Sequence, residues 1–537
     1  NTAIGYQAMH GDDSTATTST GNTAVGYEAG KYITTGAYNT ILGYQAGDAA
    51  SIGNYHVLLG AFAGSSINSG DADGTTAIGY QAGQVLTSGI GSTAIGYQAL
   101  VSATENDYNT AVGARALYSI SGSSGTEGEN NTAVGRYAGY STTTGNSNVF
   151  IGNAAGYGNT TGIYNNFIGA GAGQNSTTAN QSTYIGWYAG YYQQVGGNNV
   201  AIGHQTLYGT SGKANSAASN VAIGYQAAMG SDVGQGLVAV GKGALRNVSD
   251  SGSYSTAIGF DSAYYATGSY NTFVGAEAGK GGTTSAPYSS GLRNTAIGYS
   301  AMGAFTTGNN NVVIGYEAGD DMTSAGGSVL IGYEAGSKLT TSGEGVFIGE
   351  YAGQNSTNGT NVLIGARAGR GNVANPIGLY CVAIGYMAMQ TPVGNSNIAI
   401  GYQAMKDTDA GTNSDASQNN IAIGYQSMGG TWADVQSNYN VAIGDYSMDA
   451  ALNGALNNTA LGHYTLSSLT TGDSNVALGY NAGGSLTTGG SNILIGRSAG
   501  GAGTDMTSTV IIGHYAGDAI NTNNSQGSVL IGWEAGT

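Results

Sequence analysis

One nine-residue phrase, Asn22-Thr23-Ala24-Val25-Gly26-Tyr27-Glu28-Ala29-Gly30, returns seventeen residues later as Asn39-Thr40-Ile41-Leu42-Gly43-Tyr44-Gln45-Ala46-Gly47. Variants of it continue along the chain. A chain built this way does not wrap one globular core; it stacks like units, each burying its apolar side against the next. Aligned on the glycine that follows Ile, Val or Leu, the phrase occurs 30 times, from Gly5 to Gly532. Fifteen of the 29 spacings are 17 residues, and the rest run from 16 to 23. The array fills 1–537 as one continuous unit, with no linker and no separate globular domain.

Each column of the repeat carries a physical meaning. Just before the anchor glycine stands Ile, Val or Leu, as in Ile4, Val25, Leu42 and Ile95. One residue earlier is mostly Ala, otherwise a larger apolar or aromatic residue such as Leu363, Phe347 or Tyr184. Before that comes Thr, Val or Ile, with Asn166 the one exception. Alternate residues of a strand point to opposite faces, so this short strand is apolar on both. One face fills the interior of the coil, and the other requires a cover such as a neighbouring chain. Four residues before the anchor, Asn occurs in 19 of 30 repeats, including Asn22, Asn109, Asn311 and Asn475. Stacked once per coil, these amides can form a ladder. Three residues after the anchor, Ala fills 25 of 30 positions, which implies close backbone approach. The anchor glycine itself marks a bulge, a bend or a tight contact.

The corner residue just after the anchor is Tyr in 13 repeats, among them Tyr6, Tyr80, Tyr225 and Tyr402. Elsewhere the next position is often aromatic instead: Phe62, Tyr137, Tyr351, Tyr446, Tyr515. Such a column reads as an aromatic stack between coils or as a sugar- or receptor-binding surface. The other half of many coils carries a Thr-Thr-Gly turn, as in Thr34-Thr35-Gly36, Thr306-Thr307-Gly308 and Thr470-Thr471-Gly472. Insertions such as 118–130 and 406–418 fall in that half. A 17-residue coil fits two short strands and two turns. At roughly 4.8 Å per coil, thirty coils predict a rod about 140 Å long.

Composition narrows the function classes. Only 8% of residues are charged, yet 40% are hydrophobic, which separates this chain from disordered low-complexity sequences. The net charge is −17 and no basic stripe exists, so nucleic acid is not an expected partner. The dispersed acidity keeps a polar fibre in solution. No apolar run is long enough to insert in a membrane. The single cysteine, Cys381, excludes an intrachain disulfide; it sits in the asparagine column and reads as a structural replacement. Of the five histidines, His10, His56, His204, His463 and His514, the last three take the corner position. No two stand at metal-ligand spacing, and neither a phosphate loop nor a calcium-binding nonapeptide is present. The acidic pairs Asp12-Asp13 and Asp320-Asp321 read as solvated turns. No catalytic, cofactor-binding or metal-ligating residue is assigned, and the chain is not expected to be an enzyme.

The Asn-Thr-Ala-Ile-Gly-Tyr-Gln-Ala motif at 1–8, repeated at 75–82 with Thr75 in place of Asn, resembles repeats of phage tail-fibre-like proteins. It is also similar to the Ala-Ile-Gly repeats in the heads of trimeric autotransporter adhesins, although the period here is longer. That resemblance implies a left-handed parallel β-roll in which three chains pack together. The expectation is therefore an all-β parallel β-solenoid, or β-roll, of about 30 coils, assembled as a homotrimeric fibre. It would be extracellular, on a virion or bacterial surface, as the shaft or head of a fibre that meets a cell-surface glycan or protein receptor. The phrase begins in mid-motif at Asn1 and closes just before Thr537, which reads as a fragment, a processed product or a unit that stacks end to end. A structural filament assembled end to end is the second reading. A monomeric ligand- or ice-binding solenoid is the third, weakened by irregular Thr rows.

Overall fold

Every occurrence of the phrase becomes a three-residue β-strand. A computed structural model describes the chain apart from residues 12–17, 51–52, 70–72, 122–126, 214, 233, 249–252, 284–287, 373–375, 392, 408–415, 434, 521–525 and 537. Two units are distinguished, Asn1–Tyr270 and Asn271–Thr537. The first holds β1 (Thr2–Ile4) to β15 (Thr256–Ile258), and the second β16 (Thr272–Val274) to β30 (Val529–Ile531). Within each unit consecutive strands pair in parallel, residue for residue. Thr76, Ala77 and Ile78 face Thr93, Ala94 and Ile95 in the first. Val382, Ala383 and Ile384 face Ile398, Ala399 and Ile400 in the second. No α-helix occurs among the described residues. The chain is an all-β parallel solenoid with a period of about 17 residues, as the repeat predicts.

The ladder runs on past the strand. The Gly26 amide donates to the Ile4 carbonyl and the Glu28 amide to the Tyr6 carbonyl, both at 2.8 Å. Between these rungs the chain bends through left-handed residues. Gly96 has φ +134°, and a methyl group added there would meet the Gly113 carbonyl oxygen of the next coil at 2.6 Å. Both the dihedral and the stacking therefore require glycine in the anchor column. Gln98 and Leu100 follow at φ 54° and 52°. Left-handed geometry costs a side-chain-bearing residue about 1–2 kcal/mol. Cooperative stacking of like coils offsets that cost.

The middle residue of each strand points inward. It is buried in every strand from β2 (Thr23–Val25) to β29 (Val510–Ile512). Its volume is coupled to the residue four after the anchor. In 13 coils the middle residue is larger than Ala, and in all 13 that later position is Gly: Ile41 with Gly47, Phe150 with Gly156, Phe347 with Gly353. A side chain on Gly156 would run into the Phe150 ring. In the remaining 17 coils the middle residue is Ala, and 13 of these place Met, Leu or Ala at the later position, such as Leu100, Met405 or Met428. The four exceptions include Gly30, Gly83 and Gly483, where buried Ile33, Leu86 and Leu486 supply the volume from three residues further on. A narrow interior admits one large side chain per level at this place, because cores tolerate neither voids nor overpacking. Large rings stack inside as well: Phe150–Phe167 at 5.6 Å and Phe167–Tyr184 at 4.8 Å in the first unit, Phe273–Phe305 at 5.4 Å in the second.

The second half of the coil differs from the expected second strand. Among the described residues it shows only isolated bridges, such as Gln193 with Asn215 and Asn438 with Leu456. The reason lies in the turn. The amides of Thr306, Thr307 and Gly308 all converge on the Thr323 carbonyl, so the backbone curls around one acceptor instead of extending. Threonine hydroxyls reinforce the stack, with Thr143 Oγ1 donating to the Thr160 carbonyl and Thr160 Oγ1 to the Thr177 carbonyl, at 3.1 and 3.0 Å.

Candidate functional site

The strand leaves an outward strip of alternate residues. Around Gly43, Tyr38, Thr40, Leu42 and Tyr44 are exposed, Leu42 to 47%, while Asn39 and Ile41 between them are 1% exposed. The sequence left open which apolar face lies inside; the middle residue does, and the first and last residues of the strand face out. The two outward strand columns carry Thr, Val, Ile or Leu, with the single Asn166, and no charge. Together with the columns on either side of it, this face is four columns wide at two residues per step and spans roughly 20 Å, so each coil adds about 100 Å².

The corner rings bound one side of this strip. Tyr6, Tyr27 and Tyr44 stack at 5.2 and 5.1 Å, and Phe62 continues the run edge-on between Tyr44 and Tyr80. In the second unit Tyr299, Tyr316 and Tyr333 stack at 5.2 and 5.1 Å, and Tyr386, Tyr402 and Tyr425 at 5.4 and 4.9 Å. Positions where the aromatic residue comes one place later join the same stacks: Tyr351 packs on Tyr333 and Tyr446 on Tyr425. His204 takes the place of a ring between Trp187 and Tyr225. His463 lies 5.8 Å from Tyr480, and His514 lies 5.2 Å from Trp533. The histidines of the corner are thus members of the aromatic column.

A second tyrosine column bounds the other side, and the motif alignment passed over it. Tyr38–Tyr55 and Tyr254–Tyr270 stack at 5.7 and 5.5 Å. These residues directly precede the asparagine column, in left-handed geometry; Tyr108, Tyr164, Tyr380 and Tyr439 hold the same place. The Tyr-Asn pairs Tyr38-Asn39, Tyr108-Asn109, Tyr164-Asn165 and Tyr439-Asn440 were the signal that could have revealed it.

Under the strip the asparagines form the anticipated ladder. Asn458 Nδ2 donates to Asn440 Oδ1 at 3.0 Å and to the Gly472 carbonyl at 2.8 Å, while the Asn475 amide donates to Asn458 Oδ1 at 2.9 Å. Each buried side chain is satisfied by the coils on both sides, as burial of an amide demands. Eleven of the thirty positions carry another residue, and two of these are titratable. His56 is fully buried there, no partner is aligned on either ring nitrogen, and burial pushes its imidazole down to about 4 against the weaker pull of Asp73. Cys381 is also buried, its thiol pushed up to about 11 by the same cause, which makes it a poor nucleophile.

Charge gathers at the corner. Arg115 lies over the Tyr97 ring at 5.7 Å, Arg370 over Tyr351 at 5.2 Å, and Arg497 over Tyr480 and Tyr515 at 5.7 and 5.6 Å. Tyr333 donates to Glu334, which pushes the phenol up to about 12, and Glu317 raises Tyr316 in the same way. Asp320 is half-buried, accepts from Ser300 Oγ at 2.8 Å and is raised by burial, whereas Asp321 pairs with Lys338 at 2.8 Å. Asp12 and Asp13 lie outside the described residues. Among the described residues no group of three or more His, Cys, Asp or Glu could hold a metal ion, and no helix is long and apolar enough to cross a membrane. Comparison with protein-family models, curated proteins and solved structures finds no match.

Proposed function

We propose that this chain is a fibrous extracellular protein, the shaft or head of a phage tail fibre or bacterial surface adhesin, working as a homotrimer. The observation that supports this reading is the uncharged outward strip, flanked by exposed tyrosines and repeated coil after coil. Large contiguous apolar patches mark interaction surfaces. At about 100 Å² per coil, eight coils supply the roughly 800 Å² per partner of a stable interface. Packing three copies strip to strip covers it around a common axis. The corners then form the rims, where weak repeated contacts with a cell-surface glycan or protein add up through avidity. The native mass by light scattering after size separation tests the assembly. Three chain masses are expected. A single chain mass would sink the trimer, and a broad, very large mass would give the lead to a structural filament.

A further inference from the structure

Three of the corner stacks end on an arginine, while the run through Trp187, His204 and Tyr225 is followed by Lys242. The run through Tyr80 and Tyr97 is followed by Arg115, that ending in Tyr351 by Arg370, and Tyr480 by Arg497. A planar guanidinium stacks on an aromatic face, and in both units of this chain a guanidinium lies 5.2–5.7 Å from a corner ring. The corner of β17 (Thr295–Ile297), β18 (Val312–Ile314) and β19 (Val329–Ile331) offers those rings together with two carboxylates. Tyr299, Tyr316 and Tyr333 are each more than 40% exposed. Beside them Glu317 and Glu334 stand one rung apart, their carboxylates accepting from the adjacent phenols; Glu334 also accepts from Gln354 Nε2, and neither forms an ion pair among the described residues.

Other tyrosine corners lack this combination. Glu28, next to Tyr27, is already held by Lys31 at 2.8 Å and by Gln45 at 2.7 Å. Beside Tyr386, Tyr402 and Tyr425 the following residues are the neutral Met387, Gln403 and Gln426. We propose that the Tyr299–Tyr316–Tyr333 corner, with Glu317 and Glu334, is a docking site for arginine side chains of a partner protein. Arginine meets both parts of the site: its plane lies against the rings, and its donor fork matches a carboxylate. Lysine satisfies only the charge. The net charge of −17 supports encounter with such a partner but does not select arginine over lysine. This inference rests on reading the corner as an open rim of the fibre.

A short glycine–arginine peptide and its lysine counterpart of equal charge, titrated calorimetrically against the intact chain at physiological salt, provide the test. The arginine peptide should bind about fivefold more tightly. The double variant Tyr316→Leu, Tyr333→Leu should remove most of that preference, and Glu317→Gln with Glu334→Gln should weaken both peptides, the arginine one more. The pair Tyr386→Leu, Tyr402→Leu serves as the control and should change nothing. All six side chains lie on the outside of the coil, so an unchanged melting curve verifies the fold of each variant. Equal affinity for the two peptides, or an undiminished preference in the Tyr316, Tyr333 variant, would overturn the proposal. The mass measurement is independent: a trimer without arginine preference removes this site and leaves the fibre reading standing.

Discussion

The two units are built from the same coil but turn different residues outward. In the first unit 9 of 15 strands begin with Thr; in the second, 3 of 15 do. From β18 to β25 (Val441–Ile443) the outward residues are Val or Ile at the first place and Ile at the last, without interruption. Threonine and valine have nearly the same shape and both favour strands, so folding does not choose between them. What separates them is water. A threonine row keeps its hydroxyls hydrated, whereas eight rungs of Val and Ile leave only methyl groups to cover. The inner columns show no comparable divergence, because there the volume of each level is fixed by the coil. The second unit is thus the one whose outer face most needs a partner, and the first is the one that tolerates solvent.

The likeness inside can be broken first, with the largest expected effect. Phe347→Ala should destabilise its coil by about 4 kcal/mol through the cavity left behind. Adding Gly353→Leu should recover part of that loss, since Leu100 and Leu117 adopt the required left-handed geometry over Ala94 and Ala111. Phe150→Ala with Gly156→Leu should behave identically in the first unit. Hydrogen exchange of the flanking rungs is the measurement, because stability in a stacked array is local. No recovery in either unit would mean that the exchange of volume between the two positions is coincidental.

Much of this architecture was legible in the sequence. The anchor glycine, the asparagine ladder and the corner stack are columns, and a column repeated thirty times announces its own geometry. The orientation of the strand was not legible. Ile348 looks more like a core residue than Ala383 does, yet Ile348 faces out and Ala383 in. The coil is so thin that alanine and glycine take up much of its interior, and hydrophobicity alone then points to the wrong face. The coupling between Phe347 and Gly353 escaped for a related reason, since it connects two columns that were read separately. The corner carboxylates were hidden because Glu317 and Glu334 share a column with Gln, Arg, Met and Tyr, so no single residue type marks the place.

The unlikeness outside can be sharpened next. Ile348→Asp with Ile400→Asp places two charges on the Val and Ile face of the second unit. If that face is covered by other copies, the buried charges should cost several kcal/mol and weaken association at least about a hundredfold. The equivalent pair Ile78→Asp with Ile95→Asp, among the threonines of the first unit, should weaken it far less. Light scattering over a dilution series distinguishes the two. Equal effects would mean that both strips are covered alike and that the Thr-to-Val contrast has no bearing on assembly.

Acid should separate the units as well. His56 interrupts the asparagine column of the first unit with an imidazole whose folded pKa lies near 4, against 6.5 when exposed. A base with a depressed folded pKa is protonated more readily when unfolded. Stability is therefore full above pH 6.5, falls as the pH drops toward 4, and ends roughly 3 kcal/mol lower. Measured against the intrinsic amide rate, which itself falls with acid, protection in β3 (Thr40–Leu42), β4 (Val57–Leu59) and β5 (Thr76–Ile78) should drop between pH 7 and 4. His56→Asn should abolish that change. Persistence of the acid response in the variant would assign it to carboxylates elsewhere.

The smallest effect belongs to Cys381, the titratable replacement in the asparagine column of the second unit. At Cys381 the backbone amide already donates to Asn361 Oδ1 at 2.8 Å, while the thiol only approaches the Gly394 carbonyl at 3.4 Å. That carbonyl already accepts from Asn397 Nδ2 at 2.7 Å, and asparagine at this place would add a second amide donor in place of the weak thiol, as Asn440 gives Ala455 one at 2.8 Å. Cys381→Asn is therefore expected to stabilise by about 1 kcal/mol, the net worth of one buried hydrogen bond. The same thiol reports on opening in the parent chain: buried and protonated, it should label with maleimide only as fast as its coil opens. Rapid labelling under native conditions would mean that the ladder around β22 (Val382–Ile384) opens readily, and the column would then be a consequence of stacking more than a cause of it.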